Sequence, residues 1–162
     1  MRMALYAPGL GYYAGGATKF GAAGDFFTAP EISPLFGHAL ANQFAEVLRA
    51  TGGSVLELGA GTGRLAVDIL TRLERLDVLP ATYAILEPSA ELRGRQRQSL
   101  RQLAPDLAAR VRWLDALPGE WSGVIFGNEV LDAIPVELLA RRGTGLFHRG
   151  VMVDEAGRIA WR

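Results

Sequence analysis

Apolar and polar positions repeat with two different periods along the central part of the chain. Four short, mostly apolar runs predict β-strands at 54–58, 82–87, 110–114 and 123–128. Two longer segments repeat their apolar residues at helical spacing and predict α-helices at 64–76 and 89–103. Because strands and helices alternate, the pattern predicts a doubly wound, mostly parallel sheet of the α/β class.

A further helix is predicted ahead of the first strand. Ser33 suits the N-cap, Pro34 suits the first helical position, and Thr51-Gly52-Gly53 ends the helix. Its apolar face is expected to contain Leu35, Phe36, Ala39, Leu40, Phe44, Val47 and Leu48. The two crossover helices are expected to pack through Leu65, Ile69, Leu73 and Leu76, and through Leu92, Leu100 and Leu103, with Pro105 ending the second.

The two ends of the chain follow neither period. Residues 7–32 are rich in glycine and aromatic residues, which is typical of a binding loop or lid, although a frayed terminal arm is the alternative. After Pro135, the runs 146–153 and 158–162 flank a glycine-containing turn and predict a β-hairpin.

Composition narrows the class of protein. A chain of 162 residues suits one domain, and 49% hydrophobic residues argue against disorder. The net charge is zero without a long basic run, so no nucleic-acid partner is expected. No cysteine is present, and His38 and His148 stand apart, so no metal is predicted. No apolar run is long enough to span a membrane and no leader is recognisable, so we expect no membrane partner and a cytoplasmic location.

The glycine turn between the first strand and its helix is the strongest candidate for a ligand site. Gly59 permits the bend, Gly61 lets a ligand approach the backbone, and Gly63 is expected to let the helix pack close to the strand. A dinucleotide fingerprint needs glycine where Arg64 stands, which disfavours a nicotinamide-dependent oxidoreductase. Glu57, just before the turn, would repel a pyrophosphate and attract an ammonium group.

These features predict a site for S-adenosyl-L-methionine as cofactor. Glu57 and the turn residues Gly59, Ala60, Gly61 and Gly63 would hold its methionine part, with the helix N-terminus offering amide donors. The alternative is a generic glycine-rich turn beside a solvated glutamate.

Two further acids follow the second and third strands. Glu87 stands where a carboxylate accepts hydrogen bonds from a ribose diol, the alternative being a helix-terminal acid. Asp115 and Ala116 are predicted to border the adenine, the alternative being an ordinary surface loop.

The acceptor side of the site is predicted after the fourth strand. Asn128, Glu129 and Asp132 are candidate catalytic residues, because two carboxylates three positions apart could hold a guanidinium or accept a proton. Capping and solvation are the alternative. Gly24, Asp25 and Thr28, in a loop that precedes a helix, are assigned to the cofactor-binding set as residues closing over the donor.

Four stretches together resemble a known family. They lie at 5–13, 24–37, 56–63 and 127–135 and read LYAPGLGYY, GDFFTAPEISPLFG, LELGAGTG and GNEVLDAIP. In this order they are similar to the MidA family of S-adenosylmethionine-dependent methyltransferases, which is related to the methyltransferase of mitochondrial complex I assembly.

The resemblance implies a Rossmann-like class I methyltransferase fold and a protein arginine acceptor with symmetric dimethylation. It assigns 1–32 as a loop or lid segment and 33–162 as a partial S-adenosylmethionine-binding domain. Family members extend beyond both ends of this chain, so we expect a truncated unit that holds the donor half of the site. The alternative is a non-catalytic, S-adenosylmethionine-binding assembly factor for a respiratory complex.

Overall fold

The computed structural model describes residues 1–13, 15 and 29–162. The helices are α1 (Arg2–Tyr6), α2 (Ala29–Ile32), α3 (Leu35–Thr51), α4 (Arg64–Arg75), α5 (Ala90–Leu103) and α6 (Pro105–Ala108), with a 3₁₀ helix at Val130–Ala133. The strands are β1 (Ser54–Leu58), β2 (Tyr83–Leu86), β3 (Val111–Leu114), β4 (Gly123–Gly127), β5 (Leu139–Arg142), β6 (Gly145–His148), β7 (Val151–Val153) and β8 (Ile159–Trp161).

Strands β1 to β4 form a parallel sheet in the order β3-β2-β1-β4. This confirms the predicted α/β class and the position of all four strands. The chain turns to opposite sides of β1 when it forms β2 and β4, so the carboxyl ends of β1 and β4 border a topological switch point. Ligands bind at such points in open α/β sheets.

One face of the sheet carries the hydrophobic core. Alternate strand residues such as Val55, Tyr83 and Ile85 are buried on this face, where they belong to one cluster with the buried residues of α3, α4 and α5. The rings of Phe44 in α3 and Phe126 in β4 lie 5.0 Å apart between centroids. In α4, Leu65, Ile69 and Leu73 are buried and Leu76 packs against the cluster, as the helical period predicted.

Helix α3 buries a face that overlaps only in part with the predicted one: Phe44 and Leu48 are buried, and Phe36 and Leu40 pack against the core. Its buried residues are Gly37, Ala41, Phe44, Ala45 and Leu48, while Leu35, Ala39 and Val47 are exposed. The cause is close packing on α4, because a Cβ at Gly37 would lie 2.7 Å from Cβ of Asp68. Residues with small side chains therefore form the contact of α3 with α4. The N-cap is Pro34 rather than Ser33, although the Ser33 hydroxyl accepts a hydrogen bond from Leu35 N at 3.2 Å.

Helix α5 also differs from its predicted packing. Leu92 and Leu100 are buried as expected, but Leu103 is exposed, and the fully buried polar residue Gln96 takes an inward position instead. Helix α5 does end at Leu103, and Pro105 then begins the short helix α6.

The C-terminal part forms two antiparallel hairpins rather than one. Strand β7 pairs with β8, which confirms the predicted hairpin for 151–161. The prediction is wrong for 146–148, because β6 pairs with the preceding strand β5 instead. Gly143, with φ of +57°, lies in the connection between β5 and β6 and permits this earlier turn.

The N-terminal segment contains more regular structure than its sequence indicated. Helix α1 precedes the predicted irregular segment and α2 lies at its end. The predicted residues Gly24, Asp25 and Thr28 lie outside the described residues. Across the described part of the chain, no helix is long and apolar enough to cross a membrane.

Candidate functional site

A cavity of about 380 Å³ opens at the carboxyl ends of the parallel strands. Its walls include 57–62 at the end of β1, 86–88 at the end of β2 and 128–134 after β4, with Tyr6 and Tyr13 from the N-terminal segment. This volume lies in the range of small-molecule sites, and the position is the switch point of the sheet.

The glycine turn forms the floor of this cavity. Gly59, Gly61 and Gly63 have φ values of +63°, +52° and +82°, a region that residues with a Cβ adopt at a cost. Gly59 and Gly61 line the cavity, together with Ala60 and Thr62. Gly63 does not line the cavity; a Cβ there would lie 3.0 Å from Cα of Gln96, so Gly63 permits close packing against α5.

Glu57 is a buried carboxylate at the cavity wall. It is 2% exposed and accepts a hydrogen bond from the Tyr83 hydroxyl at 2.8 Å. Burial raises the pKa of Glu57 to about 7; the Tyr83 hydrogen bond opposes this shift and the nearby Glu87 charge adds to it. No ion pair joins Glu57 to a cationic side chain among residues 1–13, 15 and 29–162. A cationic ligand group would therefore supply the missing charge partner.

Glu87 is a second buried carboxylate on the same cavity. It accepts hydrogen bonds from Ser89 N at 3.0 Å and from the Gln96 amide at 3.2 Å. Burial raises the pKa of Glu87, while these two hydrogen bonds and the charge of Arg93 lower it. Glu87 therefore lies where it was predicted, at the end of β2 and facing a cavity.

Asp115 and Ala116 do not line the cavity, so the structure gives no support for their predicted adenine contact. The Asp115 side chain is 91% exposed and forms an ion pair with Arg93 at 2.8 Å. Arg93 also donates hydrogen bonds to the carbonyl oxygens of Glu87 and Leu114, so it ties the ends of β2 and β3 together. Leu117, two positions after Asp115, lines the cavity instead.

The three predicted acceptor-side residues all line the cavity. Glu129 precedes the 3₁₀ helix with φ of +56°, an uncommon conformation for a residue with a side chain. The Asp132 N–H donates to the Glu129 carbonyl at 3.4 Å, so one helical turn brings their two positions together. The predicted helical turn is thus present, and two acidic residues lie on the open side of the cavity.

Two tyrosines of the N-terminal segment complete the wall and were missed by sequence reasoning. The rings of Tyr6 and Tyr13 stack with centroids 5.4 Å apart. The Tyr6 hydroxyl donates to the Ala133 carbonyl at 2.7 Å, which joins α1 to the 3₁₀ helix. The aromatic content of this segment was visible in the sequence, but a contact between residues 127 positions apart has no local signal.

Two hydroxyl groups hold the glycine turn from either side. The Thr62 hydroxyl donates to Glu31 of α2 at 2.6 Å, and the Ser99 hydroxyl of α5 donates to the Thr62 carbonyl at 2.8 Å. Within the described ranges, no group of three or more histidine or acidic side chains is arranged to hold a metal ion.

Comparison with known proteins identifies the family. The family model described as "Putative S-adenosyl-L-methionine-dependent methyltransferase" matches residues 39–162. The chain belongs to this methyltransferase family. The assignment confirms the resemblance to MidA proteins and the Rossmann-like class I methyltransferase fold.

The relatives of this chain include eukaryotic and bacterial proteins. "Protein arginine methyltransferase NDUFAF7 homolog, mitochondrial" of Caenorhabditis elegans is 31% identical over 88% of this chain and 39% of its own length. The Danio rerio protein arginine methyltransferase NDUFAF7 is 31% identical over 95% of this chain and 42% of its own length.

A solved relative matches the fold over nearly the whole chain. The crystal structure of a candidate methyl transferase from Burkholderia thailandensis, bound to S-adenosyl-homocysteine, is 54% identical with a TM-score of 0.89. The match covers 99% of this chain and 43% of that protein. The chain therefore spans about two fifths of the length of the relatives it matches.

Proposed function

We propose that this chain binds S-adenosyl-L-methionine in the cavity and transfers the methyl group of that cofactor to a protein arginine side chain. The observation that carries the proposal is the pair of buried carboxylates, Glu57 and Glu87, on either side of the glycine turn. Family membership and the S-adenosyl-homocysteine in the Burkholderia thailandensis relative support the same ligand.

The residues present fit this cofactor. Glu57 would bind the ammonium group, the glycine turn would accommodate the methionine part, and Glu87 would accept hydrogen bonds from the ribose hydroxyls. When bound, S-adenosyl-L-methionine supplies a methyl group already activated by its sulfonium. The protein's contribution is to position the donor and acceptor and to exclude water.

Two observations support an arginine acceptor: the negative charge of the acids that line the cavity and the names of the relatives. Glu129 and Asp132 would hold a guanidinium through charge-assisted hydrogen bonds and accept the proton that it loses, while Asn128 would orient it. The relatives named as protein arginine methyltransferases point to the same acceptor.

Calorimetric titration with S-adenosylhomocysteine tests the donor site. We expect the wild-type chain to bind, and Glu87→Gln to weaken binding at least about tenfold because it removes a charged acceptor. A nicotinamide dinucleotide is expected not to bind. Tight binding of that dinucleotide in place of S-adenosylhomocysteine would overturn the donor assignment.

Transfer of labelled methyl groups to an arginine-containing peptide tests the acceptor site. We expect Glu129→Gln and Asp132→Asn to reduce transfer without changing affinity for S-adenosylhomocysteine. Glu155→Gln, which changes an exposed acid in the β7–β8 turn, is the matched control. Binding without any transfer would instead favour a non-catalytic, donor-binding assembly factor. The exposure of Glu129 and Asp132 in this chain is the observation that favours that second candidate.

A further inference from the structure

We propose that Gln96 is a positioning residue that fixes the glycine turn and Glu87 relative to each other, so that the two ends of the donor are held at a set separation. The inference rests on the proposed function, because it assigns a role to a residue behind the donor site. Gln96 does not line the cavity and would act through residues that do.

Gln96 is an unusual residue for its place in the fold. Helix α5 is largely polar, yet its Gln96 side chain is 0% exposed. An apolar side chain would fill such a position at lower cost, because a buried amide must satisfy both its N–H groups and its oxygen. The hydrogen bonds of the Gln96 amide must therefore offset the cost of its burial.

The amide of Gln96 reaches the ends of three strands. Its nitrogen donates to the Gly61 carbonyl at 3.1 Å and to Glu87 Oε2 at 3.2 Å. Its oxygen accepts a hydrogen bond from the indole nitrogen of Trp113 in β3 at 2.8 Å. One side chain thus connects the turn after β1, the acid after β2 and the side of β3.

The orientation of this amide follows from its partners. The Trp113 indole can only donate, whereas the Gly61 carbonyl and the Glu87 carboxylate accept. The reverse orientation would face the amide oxygen with two acceptors and the amide nitrogen with a donor. Trp113 therefore fixes the amide in the one orientation that donates to both parts of the donor site.

Holding the Gly61 carbonyl also orients the peptide that follows it. The C=O and N–H of one peptide unit point in opposite directions, so the Thr62 N–H points away from Gln96. Thr62 lines the cavity, where an amide donor suits the carboxylate of the methionine part. Backbone packing reinforces this arrangement, because a Cβ at Gly63 would lie 3.0 Å from Cα of Gln96.

The test compares Gln96→Met with Gln98→Met by calorimetry. Methionine keeps the length of the side chain and removes its hydrogen bonds, and Gln98 is an exposed glutamine of the same helix. We expect Gln96→Met to bind S-adenosylhomocysteine at least about tenfold more weakly than wild type, as the loss of a hydrogen bond to a charged group predicts. Gln98→Met is expected to match wild type.

The pH profile of adenosine binding separates positioning from packing. Adenosine lacks the ammonium group, so its profile depends on Glu87 rather than on direct binding to Glu57. Losing the Gln96 donor raises the pKa of Glu87, which still faces Glu57, Tyr6 and Arg93. The loss of adenosine affinity on acidification is therefore expected to begin at a higher pH in Gln96→Met than in wild type.

Each result has a distinct consequence. Equal affinity in wild type and Gln96→Met, or weaker binding with an unchanged pH profile, overturns the positioning role alone. If wild type itself fails to bind S-adenosylhomocysteine, the proposed function is overturned. If Gln96→Met does not fold, Trp113→Phe removes the indole donor that orients the amide and keeps an aromatic ring at that position. For Trp113→Phe we expect about threefold weaker binding of S-adenosylhomocysteine and a pH shift in the same direction. An unchanged pH profile of adenosine binding overturns the positioning role.

Discussion

At the scale of single residues, burial of the Glu57 carboxylate serves the proposed ligand site and lowers the stability of the folded protein. The Glu57 pKa of about 7 in the folded chain exceeds the ordinary value of 4.5. The folded state therefore binds this proton more tightly than the unfolded state does. Stability consequently falls as pH rises from about 4.5 to about 7, and above pH 7 the destabilisation is complete. Such a cost is typical of a group kept for its ligand.

Glu57→Gln is expected to stabilise the free protein and to weaken its binding of S-adenosylhomocysteine. The neutral amide avoids burying a charge and can still accept from Tyr83, so the gain at pH 8 is expected to be on the order of 1 to 3 kcal/mol. Urea unfolding at pH 8 and pH 5 measures this gain in the free energy of unfolding. The gain is expected to be smaller at pH 5, where Glu57 is protonated in the folded protein. A less stable variant at pH 8 would contradict the account.

Binding of S-adenosylhomocysteine is expected to weaken below pH 7, by about tenfold per pH unit, because Glu57 must release its proton to bind an ammonium group. Tyr83→Phe removes the hydroxyl that lowers the pKa of Glu57, so the same decline is expected to begin at higher pH. Calorimetry between pH 5.5 and 8.5 (about one point per half unit) measures both profiles. Identical profiles would show that Tyr83 does not act on Glu57.

At the scale of elements, the contact between α3 and α4 depends on the absence of a side chain. Gly37→Ala is expected to lower the free energy of unfolding by about 1 kcal/mol, because its Cβ would lie 2.7 Å from Cβ of Asp68. Gly94→Ala in α5 is the matched control, since nothing lies within 4 Å of its Cβ. There alanine is expected to stabilise the helix by about 0.5 to 1 kcal/mol. Equal urea midpoints would contradict this packing.

The same contact explains why some elements could be predicted and others could not. The strands of the parallel sheet are short apolar runs, so periodicity located all four. The inward face of α3 could be predicted only in part, because Gly37, Ala41 and Ala45 belong to it and hydrophobicity marks only larger residues such as Phe44 and Leu48. The 139–142 strand has little alternation in Leu-Ala-Arg-Arg, so its pairing with β6 gave no sequence signal.

The residues of the candidate site also divide into those that the sequence could predict and those that it could not. Glu57, the glycine turn and Glu87 could be predicted because each lies at a strand end, where local sequence indicates position. Asp115 also follows a strand, but its exposed side chain pairs with Arg93 of α5 and does not line the cavity. Tyr6 and Gln96 depend on partners distant in sequence, which no local pattern specifies.

At the scale of the whole molecule, the described chain has two dissimilar parts of unequal length. Residues 29–127 contain the hydrophobic core cluster, and the two hairpins that follow leave Phe147, Val153 and Ile159 exposed. The chain matches about two fifths of the length of its relatives, and this match includes both acids and the turn of the donor site. The donor half of the proposed reaction therefore lies within these 162 residues.

A crystal structure of this chain with S-adenosylhomocysteine would show whether the two buried acids bind the donor. We expect the amino group of the ligand within about 3 Å of a Glu57 oxygen and the ribose hydroxyls in contact with Glu87. Glu57 and Glu87 left without ligand contact, or the ligand bound elsewhere on the molecule, would contradict this expectation.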